Sequence, residues 1–138
     1  MTEQQPHRLP ITPMLVYEDP EAAIQWLAEA FGFQIGLTLR DRDGKINHSE
    51  LYLGDALIMA GPPYDLVNSA SPRALGDHIT AQFYVYVDDV DAHHDRARAA
   101  GARIIAGPAD QGYGDRTYRV VDLEGQRWIF AQPIRRRE

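Results

Sequence analysis

The chain contains one order of elements twice, and this internal repeat is the feature that most limits its fold. At an offset of 69, eight residues of the first half meet identical residues of the second half: Val16/Val85, Tyr17/Tyr86, Asp19/Asp88, Ala23/Ala92, Ala28/Ala97, Ala30/Ala99, Gly32/Gly101 and Ile35/Ile104. At an offset of 71, four more pairs follow: Gly54/Gly125, Ile58/Ile129, Ala60/Ala131 and Pro62/Pro133. Such self-similarity indicates two copies of one supersecondary unit that pack together.

Each copy is predicted to contain a strand, a helix and three further strands. The first helix begins at Asp19-Pro20-Glu21, which supplies an N-cap, a proline at the first helical position and an acid in the first turn, and it ends at Gly32. The second helix begins after Asp88-Asp89 and ends at Gly101. Apolar, partly alternating runs predict strands at 11–18, 33–40, 45–53 and 56–60, and again at 80–87, 102–106, 116–122 and 126–132. The predicted fold class is α+β, with two tandem βαβββ modules.

We expect a single domain over residues 1–138, because this length suits one compact unit. Module one covers about 10–62 and module two about 80–133. The linker, about 63–79, is rich in proline, serine and glycine, and it is also a candidate loop over the site. A basic tail at 134–138 follows module two and is interpreted as a solvated end.

Composition excludes several classes of partner. The net charge of −6 argues against nucleic acid as the main partner, because binding to phosphates needs a basic face. The absence of cysteine excludes disulfides, thiolate metal sites and cysteine nucleophiles. No apolar run approaches the length of a membrane span, so we expect a cytoplasmic protein without a membrane partner.

Four stretches of the chain form a recognisable pattern: LVYEDPEAAIQWLAEAFGF, HSELYLGDALIMAG, FYVYVDDVDAHHDRARAAGARI and YGDRTYRVVDLEGQRWIFAQP. They resemble the vicinal oxygen chelate superfamily, which includes glyoxalase I, extradiol dioxygenases and bleomycin-resistance proteins. The resemblance covers residues 11–133 and implies a mixed sheet that curls around a cavity, usually in a homodimer. It also implies that modules or strands shared between subunits often complete the dimer. The reaction is left open, because one fold hosts many chemistries.

In the metal enzymes of this group, the resemblance places ligands on the first and last strands of each module. The corresponding positions here are Thr12 or Pro13, Gln82, Ile58 and Ile129. A catalytic divalent metal usually has about three protein ligands, and these positions offer one weak donor, Gln82. We therefore expect no cofactor and no metal ligands, with a divalent metal as the alternative.

His48 and Glu50 are the best remaining pair of ligands or acid-base groups. They are two residues apart on a predicted strand, so their side chains point the same way. The competing interpretation is a polar alternation that faces solvent beside Leu51 and Leu53.

Strand alternation predicts the lining of a binding pocket. Thr12, Met14 and Val16 face the cavity from the first strand, Gln82, Tyr84 and Tyr86 from the fifth, and Arg127, Ile129 and Ala131 from the last. Seven residues are expected to face the helices instead: Leu15, Tyr17, Phe83, Val85, Val87, Trp128 and Phe130. Tyr113 and Arg116 belong to a glycine-rich segment that is either a turn or a mobile loop closing over the ligand. The candidate ligand-binding residues are Met14, His48, Glu50, Gln82, Tyr84, Tyr86, Tyr113, Arg116, Arg127 and Ile129.

These residues favour a binding protein over an enzyme, and we predict no catalytic residues. The predicted pocket mixes apolar surface, phenols and one amide, which suits a small, flat organic ligand. Sequestration of an antibiotic or toxic metabolite without metal catalysis is the most concrete version of this prediction. The first alternative is a metal-dependent lyase, isomerase or dioxygenase with a displaced site at Gln82, His48 and Glu50. The second is a ligand-sensing or protein-interaction module.

Overall fold

Two four-stranded mixed sheets and two helices make up the protein in a computed structural model, which describes residues 9–134. The first module contains β1 (Met14–Val16), α1 (Pro20–Phe31), β2 (Gln34–Arg40), β3 (Ile46–Leu53) and β4 (Ala56–Gly61). The second contains β5 (Phe83–Tyr86), α2 (Val90–Ala99), β6 (Arg103–Asp110), β7 (Asp115–Val121) and β8 (Arg127–Pro133). The predicted α+β fold of two βαβββ modules is confirmed. His7 and most of the predicted basic tail, from Arg135 onward, lie outside the described residues.

Both sheets have the same strand order. It is β1-β4-β3-β2 in the first and β5-β8-β7-β6 in the second, and the first strand of each module pairs in parallel with the last. The remaining pairs are antiparallel. β1 and β5, each at a sheet edge, are shorter than predicted, with three and four residues. Neither helix of the described chain has the length and apolar character that a bilayer crossing requires.

The sequence signals at the helix ends are seen in the structure. The side chain of Asp19 accepts a hydrogen bond from the Ala22 N–H at 3.2 Å, and Asp89 accepts one from the Ala92 N–H at 3.0 Å. Gly32 ends α1 in the left-handed conformation, with φ of 84°.

The structural repeat of the first strands has an offset of 70, and the offset of 69 predicted for them is wrong. The N-caps Asp19 and Asp89 are 70 residues apart, and Met14 and Tyr84 occupy the same place beside the last strand of their modules. The identity between Val16 and Val85 therefore does not mark equivalent positions. Val85 packs against the core, whereas Val16 lies on the same side of its sheet as Met14. The difference of one residue matters, because such a slip moves every strand side chain to the other face of the sheet.

A slip of one residue also affects Ile58. The resemblance assigned Ile58 to a ligand position on the last strand of module one, and that assignment is wrong. Ile58 pairs with Leu51, and both are buried in the core. The residue beside Met14 on β4 is Met59. In module two, Ile129 does lie beside Tyr84, on the side away from the helices.

One hydrophobic core is shared by both modules. It includes Leu15 and Leu51 from the first sheet, Tyr118 and Phe130 from the second, and apolar residues of both helices. The ring of Phe31, at the end of α1, packs edge-on against Phe130 at 4.8 Å and Trp128 at 5.6 Å between ring centroids. The seven residues predicted to face the helices all lie in this core or pack against it: Leu15, Tyr17, Phe83, Val85, Val87, Trp128 and Phe130. Each sheet therefore has one face turned to α1 and α2 and an opposite face that neither of these two helices covers.

Candidate functional site

The uncovered sheet faces hold the residues predicted to line a pocket. We call them the open face of module one, which carries Met14, Val16, His48, Glu50 and Met59, and the open face of module two, which carries Tyr84, Tyr86, Asp115, Arg119 and Ile129. The alternation of each strand places these side chains on the same side, opposite to the core.

Three phenols and one carboxylate meet on the open face of module two. The hydroxyls of Tyr84 and Tyr86 both donate to Oδ2 of Asp115, at 2.5 Å and 2.8 Å. The hydroxyl of Tyr113, in the turn before β7, lies 3.3 Å from that of Tyr84. Asp115 itself is only 8% exposed, whereas Tyr86 is 59% exposed. The buried carboxylate thus holds two largely exposed rings at the surface of the sheet.

The environment keeps the phenols of Tyr84 and Tyr86 protonated. Burial, followed by the hydrogen bond to Asp115, raises the pKa of Tyr84 far above its ordinary value. The hydrogen bond to Asp115 is the main cause of the raised pKa of Tyr86. Asp115 raises the pKa of both residues, because a phenolate beside a carboxylate would place two negative charges together. The two hydroxyls therefore act as hydrogen-bond donors across the ordinary pH range.

Ile129 forms the floor beside these rings. It lies between Tyr84 on β5 and Arg119 on β7, and it is largely buried. Gln82, at the edge of the same sheet, accepts a hydrogen bond from Arg119 Nη1 at 3.1 Å. The open face of module two therefore combines an apolar floor, aromatic rings and polar groups at the rim.

Arg127 and Arg116 are engaged elsewhere. Arg127 donates to the carbonyl of Asp77 at 3.0 Å and to that of Gly125, so it fastens the linker to the β7–β8 turn. Arg116 lies on β7, where alternation turns it away from Asp115, and it forms ion pairs with Asp91 and Asp110 at 3.0 Å each. Arg116 thus lies in a strand on the helix side of the sheet, and not beside Tyr84 and Tyr86 on the open face.

The open face of module one forms a groove of about 480 Å³. Its wall includes Met14, His48 and Met59, together with linker residues such as Tyr64. The predicted common direction of His48 and Glu50 agrees with the strand register, because Glu50 pairs with Met59 on this face. Glu50 accepts a hydrogen bond from the Tyr52 hydroxyl at 3.0 Å. A Cβ at Gly36 would come within 2.7 Å of the ring of Tyr52, so a side chain at that position would force the ring to shift.

The donors on the open faces do not fit a divalent metal centre. On the first and last strands, the residues that lie side by side on the open faces are Met14 and Met59 in module one and Tyr84 and Ile129 in module two, none of which suits a hard or borderline divalent cation. Within residues 9–134, no group of three or more histidine, aspartate or glutamate side chains is placed to hold a metal ion. Gln82 belongs to the second sheet and bonds Arg119, whereas His48 and Glu50 belong to the first.

Sequence reasoning missed Asp115, Arg119 and Met59. Strand alternation could have grouped Asp115 with Thr117 and Arg119, because the three residues have the same parity on β7. The sequence alone assigned neither Thr117 nor Arg119 to a face of the sheet. The side of the sheet that β7 presents to the tyrosines depends on its pairing with β8, which the sequence does not display. Met59 was missed because the repeat pointed to Ile58.

Comparisons with known proteins agree with this architecture. The model of the Glyoxalase/Bleomycin resistance protein/Dioxygenase superfamily matches residues 10–130. An uncharacterized protein of Mycobacterium bovis is 32% identical over 129 residues, which cover 91% of this chain and 84% of that protein. The crystal structure of TioX from Micromonospora sp. ML1 is 34% identical with a TM-score of 0.71, covering 93% of this chain and 98% of TioX. A glyoxalase-related enzyme from Clostridium phytofermentans, 16% identical with a TM-score of 0.69, has the same fold over 96% of this chain and 100% of its own. This chain therefore belongs to the Glyoxalase/Bleomycin resistance protein/Dioxygenase superfamily.

Proposed function

We propose that this protein binds a small, planar organic molecule on its open faces and sequesters it without a metal. The ligand that we propose is an antibiotic or a toxic metabolite. The observation that carries the proposal is the group of Tyr84, Tyr86 and Tyr113 around Asp115, beside the apolar floor of Ile129. Phenol rings provide flat apolar contact and a hydrogen-bonding handle at low entropic cost. Such a surface is suited to recognise rings and to retain them.

Metal independence is part of the proposal and is supported by the donor set. Catalysis of the lyase, isomerase or dioxygenase type in this superfamily would need several oxygen or nitrogen ligands around one ion. Here thioether, phenol and aliphatic side chains occupy the first and last strands. His48 and Glu50 are the residues that would remain for the metal-dependent alternative.

We further propose that the protein works as a cytoplasmic homodimer. Several large apolar residues project from the sheets, and Met14 is 72% exposed in the single chain. Leu37, Leu39 and Ile105 are also exposed. Exposed apolar surface of this kind is typical of an interface or a ligand-binding surface. A second copy laid over the open faces would enclose a cavity that one chain leaves uncovered.

The first test is elemental analysis of protein that has never met an affinity metal column, with calorimetric titration of Ni²⁺, Zn²⁺, Mn²⁺ and Fe²⁺ under anaerobic conditions. We expect no stoichiometric metal and no binding. Stoichiometric metal at sub-micromolar affinity would replace the proposal with the enzyme alternative at Gln82, His48 and Glu50. Sedimentation of the same samples should give twice the 15.6 kDa mass of one chain. A 15.6 kDa particle at micromolar concentration would contradict the homodimer.

The second test is a thermal-shift screen of planar heteroaromatic compounds, repeated on two matched variants. Tyr86→Ala removes a ring that is 59% exposed on the open face of module two, and Tyr64→Ala removes one that is 58% exposed beside the groove of module one. A ligand at a hundred times its Kd stabilises the folded state by about 2.7 kcal/mol, which is a shift of several degrees in Tm. We expect Tyr86→Ala to abolish the shift. The absence of any shift in the wild-type protein would refute the binding function.

A further inference from the structure

We propose that the ligand carries a positive charge, and that Asp115 with the rings of Tyr84 and Tyr86 forms a site for an organic cation. This inference deepens the proposed function and rests on it, because it names the chemical class of the molecule that the open face of module two receives. The class is a planar ring bearing an ammonium or amidinium group.

The first argument is the charge of Asp115. Its carboxylate is 8% exposed, and the partners of its Oδ2 are the two neutral tyrosine hydroxyls. Within residues 9–134, no arginine, lysine or histidine lies within ion-pair distance of it. A carboxylate withdrawn from water is costly, and hydrogen bonds from neutral donors compensate only in part. A ligand cation would supply the missing charge.

The second argument is the arrangement of the rings. The centroids of Tyr84 and Tyr86 are 5.6 Å apart, and the ring planes meet at 66°, so the pair forms an angled wall next to the carboxylate. The Tyr113 hydroxyl continues this wall from the β6–β7 turn. The faces of aromatic rings attract cations through their quadrupole, and the gain grows when the cation leaves water. Angled rings around a carboxylate thus attract a cation through the rings and through the charge together.

The third argument is the field around the site. The whole chain has a net charge of −6, so a cation is attracted at long range and an anion is repelled. Arg116 pairs with Asp91 and Asp110 on the other face, and Arg119 on the open face donates to the neutral amide of Gln82, so neither arginine forms an ion pair with Asp115.

The alternative role for Asp115 is a structural anchor that holds the two tyrosines in place. A matched pair of probes separates the two roles. Benzamidine is a planar cation at neutral pH, and benzamide is its neutral counterpart of nearly the same shape. Both are titrated into ¹⁵N-labelled full-length protein, and binding is read from amide chemical shifts of residues 82–86 and 113–117.

We expect benzamidine to bind at least tenfold more tightly than benzamide to the wild-type protein. In Asp115→Asn, the affinity for benzamidine should fall to the affinity for benzamide, and the affinity for benzamide should stay unchanged. Asp110→Asn is the matched control, since it removes the same charge from the same sheet away from the tyrosines. It should leave the ratio of the two affinities within about twofold.

Three outcomes would overturn the inference. Equal binding of both probes to the wild-type protein would do so and would leave the proposed function standing. An equal loss of both probes in Asp115→Asn would show that the carboxylate is an anchor only. Failure of every planar compound to bind would end the proposed function, and this inference with it. If Asp115→Asn does not fold, the ratio of the affinities for benzamidine and benzamide in the wild-type protein and in Tyr86→Phe decides the question. Tyr86→Phe should keep the preference for benzamidine.

Discussion

His93 uses both of its ring nitrogens to join the two modules. Nε2 lies 2.8 Å from the carbonyl oxygen of Phe31, and Nδ1 lies 2.6 Å from the hydroxyl of Tyr118. A carbonyl only accepts hydrogen bonds, so Nε2 carries the proton and Nδ1 accepts from Tyr118. Burial of the ring lowers the pKa of His93 to about 4. The neutral imidazole is therefore part of the fold.

This arrangement predicts a pH-dependent loss of stability. An unfolded histidine has a pKa of about 6.5. As the pH falls from 6.5 to 4, the unfolded chain binds the proton more readily than the folded chain, so the free energy of unfolding decreases. Over this pH range we expect the free energy of unfolding of the wild-type protein to fall by about 2 kcal/mol more than that of His93→Gln, after allowance for partial solvent screening. Urea unfolding of both proteins from pH 7.5 to pH 4 measures the difference.

His78→Gln is the control for this prediction, because His78 is an exposed loop residue outside the core. It should keep the wild-type profile. Parallel pH profiles of the wild-type protein and His93→Gln would contradict the role of His93.

At the scale of elements, α1 is attached to module two at both ends. At its N-terminus, the buried carboxylate of Glu124 accepts from the N–H groups of Glu18 and Asp19, at 2.6 Å and 2.9 Å. At its C-terminus, Arg96 donates to the carbonyls of Ala28 and Glu29 at 3.1 Å and 2.8 Å. These groups of module two add hydrogen bonds at both ends of the helix, where the backbone lacks its full set of partners inside the helix.

The two glycines that follow the helices test this attachment. Gly32 and Gly101 both have positive φ, at 84° and 89°, so alanine at either site costs about 1 kcal/mol or more of backbone strain. A Cβ at Gly32 would also meet Arg96 at 3.0 Å, whereas nothing lies within 4 Å at Gly101. We expect Gly32→Ala to lower the free energy of unfolding more than Gly101→Ala does. Denaturant unfolding measures both, and equal losses would mean that Arg96 adjusts without cost.

At the scale of the whole molecule, the modules share one core and are not independent units. Phe31 of the first module packs against Trp128 and Phe130 of the second. Asp122 links them as well, since its Oδ2 accepts from the Tyr17 hydroxyl at 2.7 Å and from the Trp128 indole at 3.1 Å. Separation of the modules would expose this core and leave the ends of α1 without partners.

We therefore expect residues 1–79 and 80–138, expressed separately, to lack a cooperative unfolding transition. The intact chain should unfold in a single step, as a domain with one core does. Circular dichroism with urea titration measures the fragments, their equimolar mixture and the full chain. A sigmoidal transition in either fragment alone, or two transitions in the full chain, would contradict the shared core.

The sequence alone determined the order of elements and most strand faces. Helix caps such as Asp19, breaks such as Gly32 and strand alternation act locally, so they are visible without a structure. They predicted two βαβββ modules and placed Tyr84 and Tyr86 on one side of β5, opposite Val85. The resemblance to the superfamily depended on the same local patterns.

Only the tertiary structure decided which residues meet across strands and between modules. The pairing of β5 with β8 and of β8 with β7 brings Asp115 to the hydroxyls of Tyr84 and Tyr86. The same pairing rules placed Met59, and not Ile58, beside Met14. The roles of His93 and Glu124 were also hidden, because their partners are 25 to 106 residues away along the chain. Register and packing are long-range properties, since they arise only when distant segments bury their apolar faces together.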